Sequence, residues 1–75
     1  MHNTLSKPVA GKRSVVARAD KRVVRAESDY LRGLQLAKRE RWAQAANAFD
    51  QATRRNPDDA VFWLNLAHAR VKLGD

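Results

Sequence analysis

The chain has 75 residues, no cysteine and a net charge of +7. That leaves room for one small domain, with neither disulfides nor thiolate-held zinc to brace it. No stretch approaches the roughly 18 apolar residues of a membrane-spanning helix, and the N-terminus lacks the continuous apolar run of a secretory signal, so a cytoplasmic setting is the expectation. The charge is uneven: residues 1–25 hold seven bases and one acid, and residues 26–75 hold eight bases and seven acids.

In chain order, residues 1–14 (MHNTLSKPVAGKRS) mix Pro8, Gly11 and polar residues without a period, and they read as a disordered basic arm. Residues 15–25 (VVARADKRVVR) are better helix formers, and their valine pairs fall on one helix face. They read as a basic, helical lead-in. A first helix follows from Ala26 to about Arg39, with Tyr30, Leu34 and Ala37 on its apolar stripe. A second helix carries Trp42, Ala45, Ala46, Phe49 and Ala52, and stops at Asn56 because Pro57 disfavours helix in the residue before it. Asp58 and Asp59 offer N-caps to a third helix over about Ala60–Leu73, which Gly74 closes. No segment alternates with period two, so the expected fold is all-α.

Two stretches match at an offset of 34 residues, AESDYLRGLQLAKRERW from Ala26 and AVFWLNLAHARVKLGD from Ala60. A 34-residue period of helix–turn–helix units resembles the tetratricopeptide repeat family. Gly33, Ala45 and Ala52 match its small packing sites, Phe49 its large one, and Pro57 its closing proline. In the second unit Trp63, Leu66 and Ala67 fall on packing sites, with Gly74-Asp75 at the inter-helix turn. Several residues depart from the pattern. Asp29 stands where an aromatic is usual and Arg32 where Leu is usual, and both suit a solvent-facing cap on a first repeat. Glu40-Arg41 replaces Gly-Asp at the first turn, and Arg70 replaces an aromatic. The resemblance implies a first repeat over 26–59 and the first helix of a second, truncated repeat over 60–75. Solenoids of this kind need about three repeats, so the chain reads as an N-terminal fragment of a helical solenoid.

The same resemblance implies a partner groove along the first helix of each unit. Tyr30, Leu34, Ala37 and Lys38 would line it in the first, and Leu64, Asn65 and His68 in the second. The plainer alternative is that Tyr30, Leu34 and Leu64 are buried against the lead-in. Asn65 occupies one site of the family's carboxylate clamp, but Tyr30 and Leu34 stand where that clamp needs Lys and Asn. A structural hydrogen bond is the simpler role for it.

His2 and His68 have no ligand-spaced companions, so no metal is expected. Ser14 and Ser28 lie in no nucleophile motif, Asp58-Asp59 read as capping residues, and no phosphate loop follows a strand. No catalytic residue and no cofactor is expected. Trp42 and Trp63 sit at packing sites.

The arm cations Lys12, Arg13, Arg18, Lys21, Arg22 and Arg25 suit phosphate contacts, but no aromatics are interleaved among them to stack bases. Nucleic acid is therefore the lesser partner, and solvation the plainer role. The arm also loosely resembles a transit peptide, being Arg-rich and poor in acids. The expected function is a scaffold that binds a partner peptide or helix in the groove. The alternatives are the repeat segment of a larger enzyme, for example a glycosyltransferase with its catalytic domain beyond residue 75, and self-association through Trp63, Leu66 and Leu73.

Overall fold

The computed structural model describes the backbone of residues 3–74 and the side chains of residues 21–74. Its elements are α1 (Asn3–Lys38), α2 (Trp42–Arg55) and α3 (Ala60–Lys72), with no strand among the described residues. The fold is the all-α arrangement expected. Helix α1 begins at Asn3 and spans the residues read from the sequence as arm and lead-in. The side chains of Lys12, Arg13 and Arg18 lie outside the described residues.

Helix α1 ends in a Schellman motif. The Arg41 N–H donates to the Leu36 carbonyl at 3.0 Å and the Glu40 N–H to the Ala37 carbonyl at 2.9 Å. Glu40 takes the left-handed conformation, φ 59°, that glycine would take without strain. The turn is short enough to fold α2 back against α1 directly.

Helix α2 stops where proline chemistry requires. Asn56 is extended at φ −141°, and its N–H closes on the Ala52 carbonyl. Helix α3 opens with Asp59, whose Oδ1 accepts from the Val61 N–H at 3.0 Å. Gly74 sits beyond its end at φ 87°, as a C-cap glycine should.

The core is small and centred on α2, which buries Ala45, Ala48, Phe49, Ala52 and Thr53. Four of these five side chains are no larger than threonine, so both neighbouring helices approach α2 closely. Phe49 fills the remaining space and lies against Gly33: a Cβ built there would fall 2.5 Å from the Phe49 ring. The Tyr30 ring joins the helices, 5.9 Å from Phe49 and 4.8 Å from Phe62. The buried face of α3 is Phe62, Leu66 and Ala69, the i, i+4, i+7 spacing of one stripe.

Two expectations about exposure are corrected here. Asp29 is not a solvent-facing cap but 8% exposed. Its Oδ2 accepts from Arg55 Nε at 2.8 Å and its Oδ1 from Arg32 Nη1 at 3.1 Å. A buried carboxylate needs such partners, and the Arg55 bond ties α1 to the last turn of α2. Leu66, expected to be partly bare, is 2% exposed because it faces Phe49 and Ala45.

Candidate functional site

Helices α1 and α3 both pack on α2 and touch each other at few points. Tyr30 meets Phe62, and Leu34 packs into the cluster that holds Leu66 and Ala69. Outside these contacts each helix carries a row of residues at three- and four-residue spacing.

On α1 the row is Val23, Glu27, Leu31 and Lys38, with the half-buried Leu34 at its inner edge. Val23, Val24, Glu27, Ser28 and Leu31 line an open hollow of about 430 Å³, and Leu31 is 52% exposed. On α3 the row is Val61, Leu64, His68 and Lys72, all exposed, with Leu64 at 69%.

At the turn end of the molecule the two helices meet the start of α2. Trp42, the first residue of α2, has the His68 imidazole edge-on at 5.4 Å and the Lys72 ammonium over its ring at 5.7 Å. Lys38, Arg39 and Arg41 stand on the adjoining turn and are exposed. Glu40 is the one acid there among the described residues. The ion pairs among the described residues use Arg32, Arg54 and Arg55, and none uses Lys38, Arg41 or Lys72.

The groove residues anticipated from the sequence fall into different surroundings. Lys38, Leu64 and His68 are exposed. Tyr30, Leu34 and Ala37 are half-buried and pack on the core, so they support a surface more than they present one. The Asn65 amide donates to the Val61 carbonyl at 2.9 Å, one turn back on its own helix. Among the packing residues, Gly33, Ala45, Phe49, Ala52 and Leu66 are buried, and Trp42 is half-buried. Pro57 and Ala67 are exposed. Trp63 is 48% exposed and donates from Nε1 to the Pro57 carbonyl at 2.7 Å.

Sequence reasoning missed two features. Val23, Val24 and Leu31 extend the exposed apolar row, a pattern readable from the seven-residue step between Val24 and Leu31. The Trp42–His68–Lys72 cluster was hidden because Trp42 lies far from α3 in sequence. Only the four-residue step from His68 to Lys72 hinted that both reach one neighbour.

No group of three or more metal-ligating side chains gathers among the described residues, and no described helix is long and apolar enough to cross a membrane. A family model described as tetratricopeptide repeat matches residues 26–69. No curated protein and no solved structure gives a significant match.

Proposed function

We propose that this chain, which belongs to the tetratricopeptide repeat family, is a protein-interaction module that holds a partner peptide or helix along the neighbouring rows of α1 and α3. Repeats of this family generally mediate protein interaction and are typically non-catalytic scaffolds. One observation carries the reading furthest: Leu31 and Leu64 are large apolar side chains more than half exposed, on α1 and α3, two helices that meet where Tyr30 touches Phe62. Apolar side chains gathered in this way favour a partner, and a row spaced by three and four residues suits an amphipathic helix or an extended peptide with apolar anchors.

The test uses a fluorescein-labelled, leucine-rich amphipathic peptide as probe, with the Leu31→Asp and Leu64→Asp variants. Both positions are exposed, so the charge leaves the core intact. Each change is expected to weaken binding about tenfold, the loss of one interface anchor, with an unchanged helical circular dichroism signal. Unchanged affinity in a folded variant overturns the reading. Leu34 is unsuited to this test because it packs on Phe49 and Leu66.

The opposite side of α3 supports a second reading. Trp63 and Leu73 are nearly half exposed there beside Ala67, and a second copy would cover them. A sedimentation mass that stays monomeric as concentration rises contradicts it.

A further inference from the structure

The two rows share a polarity. On α1 the sequence of side chains runs from Val23 and Leu31 to Lys38, and on α3 from Val61 and Leu64 to His68 and Lys72. Both pass from apolar to cationic toward the same end, where Trp42 gathers His68 and Lys72. Glu27 and the α3 cap Asp59 lie toward the other end. Lys21, Arg22 and Arg25 are set at other angles of α1, off its row.

We infer that the partner is a segment with two parts, an acidic block that docks at Lys38, His68 and Lys72 and an apolar block that docks at Leu31 and Leu64. The inference rests on the groove reading above and deepens it. Charge complementarity carries it: at the turn end Lys38, Arg39, Arg41 and Lys72 stand with a single acid, Glu40, among the described residues. Opposite charge across an interface fixes the register of a bound segment and rejects the reverse one. The Trp42 ring also restrains the Lys72 ammonium, so less side-chain freedom is lost when a carboxylate arrives. Nucleic acid would use the same cations but would need an open ring face for its bases. Trp42 is half-buried, with Lys72 over its ring and the His68 imidazole perpendicular to it, and it leaves little face to offer.

The experiment measures binding of three labelled peptides to the full 75-residue chain: a leucine block followed by glutamates, the same peptide with glutamine for glutamate, and the same with lysine. A single-stranded oligonucleotide is the fourth probe. The variants are Lys38→Glu with Lys72→Glu, and Arg22→Glu with Arg25→Glu as a control off the row.

The glutamate peptide is expected to bind about fivefold or more tighter than the glutamine peptide at low salt, a preference that fades as salt screens exposed charges. The Lys38/Lys72 double variant should lose that preference and favour the lysine peptide, while the Arg22/Arg25 variant keeps it. Equal binding of glutamate and glutamine peptides, both weakened by Leu64→Asp, overturns the acidic block and leaves the groove standing. Binding that ignores Leu64→Asp as well overturns both. Loss of the preference only in the Arg22/Arg25 variant overturns the assignment, as does tighter binding of the oligonucleotide than of the glutamate peptide through Lys38 and Lys72.

Discussion

Glu40 holds a left-handed backbone, φ 59°, at the point where α1 turns into α2. A side chain there costs about 1–2 kcal/mol relative to the right-handed form, and glycine carries no such cost. Glu40→Gly is therefore expected to stabilise the fold by about 1 kcal/mol, read as a higher urea midpoint at constant slope. Gly33 has the opposite constraint. Alanine would improve helix propensity by about 1 kcal/mol, but its Cβ would fall 2.5 Å from a Phe49 ring that is 1% exposed. Overpacking of that kind costs about 1–3 kcal/mol, so Gly33→Ala is expected to destabilise on balance, and Phe49→Leu in the same chain should recover part of the loss. A double-mutant cycle with additive effects would contradict the contact. Asp29 gives a third prediction. Removing it in Asp29→Ala leaves Arg55 without its partner and should cost about 1–2 kcal/mol, the upper range being discounted because both arginines are partly exposed. Asp29→Leu should not recover that cost, since it too leaves Arg55 without its partner.

The three helices and their ends were largely legible in the sequence, because their signals are local. Pro57 constrains Asn56, Asp59 caps the residue two places on, and Gly74 closes the helix before it. The small sites at Gly33, Ala45 and Ala52 were legible through the 34-residue offset, which reports side-chain size at fixed spacing. What was not legible depends on residues distant in the chain. The burial of Asp29 follows from Arg55, 26 residues away, and a carboxylate on a helix gives no sign of such a partner. The same holds for Trp42, whose cation and imidazole neighbours come from α3. Of the expected groove, the exposed Lys38, Leu64 and His68 were readable from helical phase, whereas Tyr30 and Leu34 pack inward because Phe49 and Phe62 reach them. Pro8 and Gly11, which lie within the span of α1, argue locally for a break.

The chain combines a small-residue core, which draws its helices together, with apolar rows that the core does not use. Leu31 and Leu64 stand in solvent outside that core, and we propose that a partner covers them. The most direct measurement is an amide-resolved nuclear magnetic resonance titration of the isotopically labelled chain with the leucine–glutamate peptide. The account predicts shifts concentrated at Leu31, Lys38, Trp42, Leu64, His68 and Lys72, with the signals of Trp63, Ala67 and Arg70 on the opposite side of α3 little changed. Shifts centred on Trp63 and Ala67, with the α1 and α3 rows undisturbed, would contradict it.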